Sequence, residues 1–571
     1  MHVFTRHIKS GDEGAWWPSQ EGIVVPEALH RNIAKEIIDE AHKQGLKIIA
    51  YHRHMEDAHM AEEHPDWVCV DETGTSPEKG EKGSKRGKHL CFNSPYADYF
   101  LKRSMELVDL GADGFYYDEI HMPKTGCWCH YCRDRFKKET GLDHPSKADP
   151  KDPIWQKLID FNNRTVERTF LKWREALHAR RPDIVMLVSH NTWPGMAERH
   201  LTSRLARISD SVKTEFSLPA RRGQNRAFER DASMLMPDND VRLALGYTLC
   251  RDAADGRPAH IWTPGLLSED SALYATAGLV AHGNIANLDV PENSLPNPMF
   301  KKAFSLGDLV SPHLAGTQPL HWALLHYPEG SAAALATDPD PSARWKKACY
   351  PFLGAYRALL RAHLPVGVIT DPQMEEGIPN DCRVLFLPVP GGLTEPMRKA
   401  VDKFRVSGGT IIEQRPEWVW HDPNGGRERA EKAFLQTLER PAATVPVRVS
   451  GGPAKLHAVT FKNHKTGNLV IALANDFSWV FTGTQTEAES LEKEARLRLI
   501  TPPPPCKGVT ITLRLGDAPR RALEVVSGRT LTIRGPVDAT EIVVPPFDAL
   551  ALVVITERER GTSGPAGTPL D

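Results

Sequence analysis

The feature that most constrains the fold of this 571-residue chain is an alternation of short apolar runs with amphipathic helical stretches over residues 1–312. The strand candidates are HVFTRHI, LKIIAYH, DGFYYDE, IVMLVSH, SVKTEFS, AHIWTP and NIANLDV. Helical patterns such as EALHRNIAKEIIDEAHKQG lie between them. Strand–helix alternation of this length predicts a parallel α/β fold, a (β/α)8-type TIM barrel.

Two further domains are expected after the barrel. Over residues 318–440 a smaller set of strands and helices predicts an open, doubly wound α/β sheet. Its turn PVPGG carries neither a nucleophilic Cys or Ser nor a phosphate-binding glycine pattern. Strand-like runs without a long helix predict a small antiparallel β domain over 441–556, and the composition of residues 557–571 is typical of a disordered tail.

Composition narrows the class of function. The 71 basic and 73 acidic residues give a net charge of -2, which argues against a nucleic-acid partner. We find neither a secretory signal nor an apolar run long enough to span a membrane. The nine cysteines are an odd number spread over a long chain, which suits reduced thiols better than a disulfide framework and indicates a cytoplasmic protein.

Three cysteines lie close together in the segment GCWCHYC. Cys127, Cys129 and Cys132 form a C-x-C-x-x-C array, and Cys91 is the natural fourth ligand. Four thiolates around Zn²⁺ make a closed structural site with no open position for a substrate. The alternatives are unrelated buried thiols, an iron–sulfur cluster, or a site in which His130 replaces one cysteine.

Carboxylates at strand ends point to chemistry. Asp118 and Glu119 follow the apolar run GFYY, and Glu215 ends the run SVKT two strands later. Side chains alternate between the two faces of a strand, so only one residue of the Asp118–Glu119 pair should face the barrel axis. Two carboxylates from different strand ends that face one pocket are what glycoside hydrolysis requires. The alternative is a structural ion pair with an arginine such as Arg6 or Arg53.

Other side chains near the predicted mouth suit a sugar. Aromatic rings that can stack on a sugar face, or simply pack, are Trp16, Trp17, Tyr116, Trp193 and Trp262. Further polar residues at the strand ends are His7, His52, His54, His190 and Asn191. The ends of barrel strands converge on one mouth, where catalytic groups belong.

The domain order and the cysteine array resemble family 42 β-galactosidases. The resemblance implies a zinc site of Cys91, Cys127, Cys129 and Cys132, with Glu119 as the acid/base residue. It also implies that the middle domain is similar to a glutamine amidotransferase without its nucleophile and forms a homo-oligomer, with a trimer favoured. The sequence departs from that family at HIWTP, which lacks the glutamate that ends strand seven there.

The segments HVFTRH, EEHPDWVCVDETG, LCFNSPYADYF and DGFYYDE more closely resemble the hypothetical glycosyl hydrolase 6 domain, which is associated with family 151 α-L-fucosidases. By similarity to family 29 fucosidases, Asp118 is implied as the nucleophile. Glu215 is then the acid/base candidate by position, and the polar strand-end residues named above bind sugar hydroxyls. The resemblance also places HVFTRH as the second barrel strand, so we expect the first strand and helix of a conventional eightfold barrel to be missing or mis-started in this sequence.

The sequence therefore leaves three alternative functions. The first is a retaining, fucosidase-like exo-glycosidase that uses Asp118 and Glu215. The second is a galactosidase-like enzyme with Glu119 as its acid/base residue. The third is a non-catalytic carbohydrate-binding barrel that keeps its zinc and its oligomer interface.

Overall fold

The computed structural model describes most of the chain. The described residues are 3–10, 14–52, 57–76, 88–117, 120–123, 126–149, 151–189, 203–214, 239–263, 266, 268–288, 300–330, 343, 345–422, 424–478, 502–515 and 519–556.

The N-terminal part is built on one curled, largely parallel sheet. Its strands are β1 (Val3–Ser10), β2 (Gly14–Ala15), β3 (Lys47–His52), β4 (Gly114–Tyr117), β5 (Val185–Ser189), β6 (Ser211–Thr214), β7 (Ala259–Thr263) and β8 (Ile285–Leu288). Their order is β2-β1-β3-β4-β5-β6-β7-β8, and all neighbouring strands run parallel except the short β2, which is antiparallel to β1. Each of the seven runs predicted as strands forms one of these parallel strands.

Helices cover the outer face of this sheet. They are α1 (Ile33–Lys43), α2 (Ala58–Glu63), α3 (Tyr96–Leu110), α4 (His130–Thr140), α5 (Trp155–Arg180), α6 (Ser203–Ile208), α7 (Asn239–Ala254), α8 (Glu269–Ala281) and α9 (Lys301–Leu314). Single 3-10 turns lie at Pro26–Ala28 and Pro65–Trp67. The sheet is half of a barrel, and its last strand and the following helix expose apolar side chains, with Ile285 46% and Phe304 44% exposed.

Strand alternation divides the apolar side chains of the sheet between two cores. Ile48, Ala50, Phe115, Tyr117 and Met186 pack outward against the helices. Ile49, Tyr51, Tyr116 and Leu187 form a separate cluster on the inner face, as the period of two along a strand requires. The inner face therefore belongs to a different environment from the outer core.

A smaller parallel sheet with helices around it follows in the chain. Its strands are β10 (Ala323–His326), β11 (Val366–Ile369), β12 (Val384–Leu387) and β13 (Thr410–Glu413), in the order β11-β10-β12-β13. The helices are α10 (Tyr350–Arg361), α11 (Asp371–Glu376), α12 (Glu395–Val406), α13 (Gly426–Thr437) and α14 (Glu439–Ala442), with a π-helical turn at Trp345–Cys349 and a 3-10 turn at Pro390–Gly392.

Two antiparallel sheets complete the fold. One is formed by β14 (Val447–Ser450), β17 (Val509–Leu513), β20 (Ile533–Arg534) and β21 (Thr540–Val544). The other is formed by β9 (Thr317–Pro319), β15 (His457–Asn463), β16 (Leu469–Ala474), β18 (Arg521–Glu524), β19 (Arg529–Leu531) and β22 (Leu550–Thr556). A 3-10 turn lies at Val537–Ala539. Because β9 precedes the middle sheet in sequence, the chain enters the last sheet before it builds the middle one.

The expected mixed α/β class, with a parallel N-terminal sheet and antiparallel C-terminal sheets, is confirmed. One large apolar core joins all three parts: it contains Val212 and Ile261 of the curled sheet, Phe352 of α10, and Val470 of β16. Among the described helices, none has both the length and the apolar character that crossing a bilayer requires.

Candidate active site and metal centre

The inner face of the curled sheet is built in staggered layers. In one layer Tyr51, Tyr116 and Leu187 are register partners on β3, β4 and β5. The rings of Tyr51 and Tyr116 are tilted against each other, with centroids 5.1 Å apart. Gly114 makes the layer below possible, because a Cβ atom there would lie 2.5 Å from the carbonyl oxygen of Val185 and 2.6 Å from Cδ1 of Ile49.

A lysine occupies the next layer toward the carboxyl ends of the strands. Lys213 on β6 is buried, and its Nζ atom lies 3.7 Å from the centroid of the Tyr116 ring. A cation over an aromatic face is attracted by the negative potential of the ring. A buried side chain with a charge of this kind is costly unless other groups stabilise it. No residue pattern pointed to Lys213, although the period of two along SVKTE predicts one face for Lys213 and Glu215.

His260 and Trp262 continue this wall on β7. Both side chains are half-buried, and Lys213 and His260 are register partners. Desolvation and then the charge of Lys213 lower the pKa of His260 to about 4. The imidazole is therefore neutral near neutral pH, when it can exchange hydrogen bonds with an uncharged hydroxyl group. Sequence reasoning also missed His260, which stands two residues before the recognised Trp262.

A cavity of about 2240 Å³ runs along this inner face. Leu187, Lys213, His260 and Trp262 line its upper wall. The larger, lower part is lined by the amino ends of the strands, by α9 and by the middle domain, for example at Asp183, Phe304 and Arg383. In parallel β/α barrels the functional groups gather at the carboxyl ends of the strands, so the upper wall is the candidate site.

Most of the predicted catalytic and sugar-binding side chains lie outside the described residues: Asp118, Glu119, Glu215, His54, His190, Asn191 and Trp193. The side chains of His7 and His52 are likewise not described, but their backbone lies in β1 and β3, where His7 is the register partner of Tyr51. The roles predicted for these residues therefore remain predictions.

Of the tryptophans predicted to contact the sugar, the three that the structure describes lie in two different environments. Trp262 faces the cavity. Trp17 is buried in the outer core and donates its indole N–H to Oε2 of Glu106 at 2.7 Å, and the half-buried Trp16 packs against the same core. Trp16 and Trp17 therefore pack in the outer core and do not line the inner wall.

The four predicted cysteine ligands come together in a buried cluster. The sulfur atoms of Cys91, Cys127, Cys129 and Cys132 all lie within 4.8 Å of one another. The Sγ atom of Cys91 is 3.4 Å from that of Cys132 and 3.6 Å from that of Cys129. Tetrahedral zinc with bonds of about 2.3 Å holds its sulfurs about 3.8 Å apart, so this group fits one metal ion. His130 is exposed, its ring lies tilted against that of Tyr131, and it is not part of the group.

Neighbouring donors support the sulfur cluster. Asn93 donates its backbone N–H to Cys91 at 3.4 Å and its side-chain amide to Cys132 at 3.3 Å, and Arg168 donates to Oδ1 of Asn93 at 3.2 Å. Such outer contacts orient the ligands of a metal. A fifth thiol, missed from sequence, is Cys69: its hydrogen bonds with Cys127 and Cys91, together with burial, raise the pKa of Cys69 well above its usual value.

All nine cysteines of the chain are free thiols and all are buried. The metal group takes four of them.

Comparison with known proteins identifies what this arrangement resembles. The family model of hypothetical glycosyl hydrolase 6 matches residues 3–119. No curated protein matches the chain. Among solved structures, the α-L-fucosidase isoenzyme 2 from Paenibacillus thiaminolyticus has a TM-score of 0.71 at 15% identity, covering 98% of this chain and 94% of its own.

Two β-galactosidases share the same fold. A catalytic mutant of Gan42B, a GH42 β-galactosidase from G. stearothermophilus, has a TM-score of 0.64 at 12% identity and covers 97% of this chain and 94% of its own. The β-galactosidase from Bacillus circulans sp. alkalophilus has a TM-score of 0.62 at 13% identity, with 97% and 95% covered. The resemblance predicted from sequence is confirmed: residues 3–119 match a glycosyl hydrolase family model, and these glycosidases share the fold over 97–98% of the chain.

Proposed function

We propose that this protein is a retaining exo-glycoside hydrolase of the α-L-fucosidase type, with Asp118 as nucleophile and Glu215 as acid/base residue. The observation that carries the proposal is the alternation along β4 and β6. Tyr116 and Lys213 meet on the inner face, and Asp118 and Glu215 each follow two residues later, where the strand period predicts the same face. The likeness to the fucosidase over 98% of the chain supports it.

In this mechanism the carboxylate of Asp118 attacks the anomeric carbon as the glycosidic C–O bond breaks. Glu215 gives its proton to the leaving oxygen. Water then hydrolyses the glycosyl ester, passing a proton back to Glu215 and freeing Asp118. Neutral His260 is suited to a hydrogen bond with a sugar hydroxyl, and Trp262 to contact with an apolar sugar face. His7, His52, His54, His190 and Asn191 remain proposed sugar-binding residues.

We propose zinc for the cysteine group, because four buried thiolate ligands match its structural sites. Zinc bound there would hold the segment after β4 and would leave the chemistry to the carboxylates.

We also propose the (β/α)8-type barrel, an amidotransferase-like middle domain that forms homo-oligomers, and a cytoplasmic location. Size measurement by light scattering tests the oligomer, and a monomeric mass would contradict it.

The second candidate is the β-galactosidase-like enzyme with Glu119 as acid/base residue, which the two β-galactosidase structures favour. Against it, Glu119 is two residues beyond Tyr117, which packs in the outer core. The alternation therefore predicts the outer face for Glu119 if the strand geometry continues.

A panel of nitrophenyl glycosides tests the proposal. We expect nitrophenol release from the α-L-fucoside, with NMR showing the sugar first released in its original anomeric configuration. Release from the β-D-galactoside alone would favour the second candidate. Silence on every sugar, together with measurable sugar binding, would favour a non-catalytic carbohydrate-binding barrel.

A further inference from the structure

We infer that Asn93 is a positioning residue of the proposed zinc site: it donates hydrogen bonds to two of the four sulfur ligands and thereby sets how tightly they hold the metal. Arg168 fixes the orientation of the Asn93 amide and brings a positive charge to the site. This inference rests on the zinc site proposed above and assigns a role to two residues that are not ligands.

The cysteine group of Cys91, Cys127, Cys129 and Cys132 must carry negative charge when it holds zinc. Four thiolates have twice the charge of Zn²⁺, so the loaded group is a dianion. All four cysteines are buried, and the most exposed of them, Cys129, is 6% exposed. A buried charge is costly unless hydrogen-bond donors or opposite charges stabilise it. Donors to the sulfurs should therefore contribute to the affinity for the metal.

Asn93 supplies two such donors from one position. Its backbone N–H lies 3.4 Å from Sγ of Cys91, and its side-chain Nδ2 lies 3.3 Å from Sγ of Cys132. The backbone contact belongs to a turn in which Ser94 donates its N–H to the carbonyl oxygen of Cys91 at 3.1 Å. Among the residues that the structure describes, these are the N–H groups that donate to the ligand sulfurs. Replacing the Asn93 side chain therefore removes one contact and leaves the backbone contact in place.

Arg168 determines which end of the Asn93 amide faces the sulfur. Nη2 of Arg168 lies 3.2 Å from Oδ1 of Asn93, and a guanidinium can only donate hydrogen bonds. The NH2 end of the amide therefore faces Cys132 and also lies 3.3 Å from Oγ1 of Thr165. A flipped amide would place its oxygen against a thiolate and its NH2 group against a cation, so the observed orientation is the favourable one.

Arg168 also connects the cysteine group to two helices. It lies on α5, its side chain is 32% exposed, and its Nη1 atom is 2.9 Å from Oε1 of Glu139. Glu139 lies on α4, which contains the ligand Cys132. The same Glu139 oxygen accepts a hydrogen bond from Arg135 at 2.8 Å. Arg135 is therefore a neighbour of similar chemistry that is bonded to Glu139 and not to Asn93.

The consequence for metal binding has a definite sign. Hydrogen bonds to charged acceptors are stronger than those to neutral ones, so the loss of a donor should weaken a site made only of thiolates. Outer contacts of this kind change metal affinity by about 10–100-fold. A donor also lowers the energy of the sulfur lone pairs. Its loss should therefore move the sulfur-to-metal charge-transfer absorption to longer wavelength.

The test measures Zn²⁺ binding to the full chain by competition with a chromogenic chelator, after bound metal has been removed under reducing conditions. We expect Asn93→Leu and Asn93→Asp to bind Zn²⁺ about 10–100-fold more weakly than the wild type, because both lack the side-chain NH2 group. Arg168→Met should weaken binding in the same direction. Arg135→Met is the matched control, because it removes an arginine from the same Glu139 carboxylate and should leave zinc affinity unchanged.

Co²⁺ in place of zinc gives a readout that a merely structural role would not move. We expect the sulfur-to-cobalt absorption of both Asn93 variants at longer wavelength than that of the wild type and of Arg135→Met. A variant that is only less stable would show the wild-type band with a smaller amplitude. Weaker binding with an unchanged band would therefore overturn the inference.

Melting curves establish that each variant is folded, and the two replacements of Asn93, with Arg168→Met, keep the test decisive if one of them misfolds. Wild-type zinc affinity in a folded Asn93 variant overturns the inference and leaves the zinc site intact. A wild type that takes up neither Zn²⁺ nor Co²⁺ instead overturns the proposed zinc site, and the role of Asn93 with it. The two failures are thus distinguishable.

Discussion

Asp240 and His457 are 217 residues apart in sequence, yet Nε2 of His457 lies 2.9 Å from Oδ2 of Asp240. The guanidinium of Arg361 binds both oxygens of the same carboxylate, at 2.7 and 3.0 Å. Asp240 belongs to α7 beside the curled sheet, Arg361 ends α10 of the middle domain, and His457 begins β15. One buried carboxylate therefore joins the three parts of the molecule.

Replacing Asp240 by Asn should loosen this junction. The variant leaves the half-buried guanidinium of Arg361 without its anion, and the loss of one partner from a fully buried pair costs about 3–5 kcal/mol. We expect a clear fall in melting temperature at neutral pH. The matched control is Glu395→Gln, which removes the exposed Lys399–Glu395 pair and should cost less than about 1 kcal/mol. Equal melting of Asp240→Asn and Glu395→Gln would contradict the assignment.

The ionised carboxylate of Asp240 should also make the stability of the protein sensitive to acid. Burial alone would raise the pKa of Asp240, but the hydrogen bond from His457 and the charge of Arg361 outweigh burial and hold the pKa well below its usual value. The stabilisation is therefore present above the pKa of the unfolded chain, about 4, and is lost as the pH falls below it. Wild-type stability should drop in this acid range more steeply than that of Asp240→Asn.

The buried carboxyl group of Glu329 should make the stability of the protein depend on pH in the opposite direction. Both oxygens of its buried carboxyl group lie 3.1 Å from the backbone N–H of Ser203 at the start of α6. Burial, with a smaller contribution from the charge of Asp371, raises the pKa of Glu329 to about 8. The folded state therefore holds a proton that the unfolded state releases above about pH 4.5, and stability falls as the pH rises from there to about 8.

Glu329→Gln tests this dependence, because the amide keeps an acceptor for Ser203 and cannot ionise. We expect the free energy of unfolding of the wild type to fall by up to about 1.4 kcal/mol per pH unit over this range because of Glu329. The variant should not show this decrease. Unfolding is followed by urea titration at several pH values. Glu417→Gln, at an exposed position of the same domain, is the control and should leave the pH dependence as it is.

Local patterns predicted the strands of this fold well because each strand carries its own signal. The run IVMLVSH became Val185–Ser189 and the run AHIWTP became Ala259–Thr263. The array Cys127, Cys129 and Cys132 was predictable for the same reason, and Cys91 joined it as expected. These features depend on residues near one another in sequence or on ligand chemistry with few alternatives.

Contacts between distant segments had no such signal. Cys69 stands in WVCVDE with no spacing that ties it to the array, and it reaches Cys127 only through the fold. Gln318 in β9 pairs with Lys462 in β15, although the entire middle domain lies between these two strands in sequence. Lys213 looked like an ordinary polar strand residue, because burial and the ring beneath it depend on how β4 and β6 meet across the curled sheet.

Loss of one sulfur ligand should release the metal. Cys129→Ser removes one of four thiolates, and because metal binding and folding are coupled, we expect a lower zinc content and a lower melting temperature. For a large domain, each kcal/mol lost lowers melting by about 2–4 °C. The control is Cys382→Ser, a buried thiol of the middle domain. Purified wild type without zinc, or unchanged melting of Cys129→Ser, would overturn the zinc assignment.

The carboxylates are tested by their separate kinetic signatures. Asp118→Asn keeps the shape of the side chain but removes the attacking charge, so activity should fall by several powers of ten while sugar binding survives. Glu215→Gln should slow substrates with poor leaving groups most, because those need a proton early. In a sugar complex the two carboxyl groups should lie about 5–5.5 Å apart, whereas an inverting enzyme needs about 6.5–9.5 Å to admit water. Near-normal turnover by Asp118→Asn, or a complex in which Glu119 faces the sugar and Glu215 does not, would move the acid/base role to Glu119.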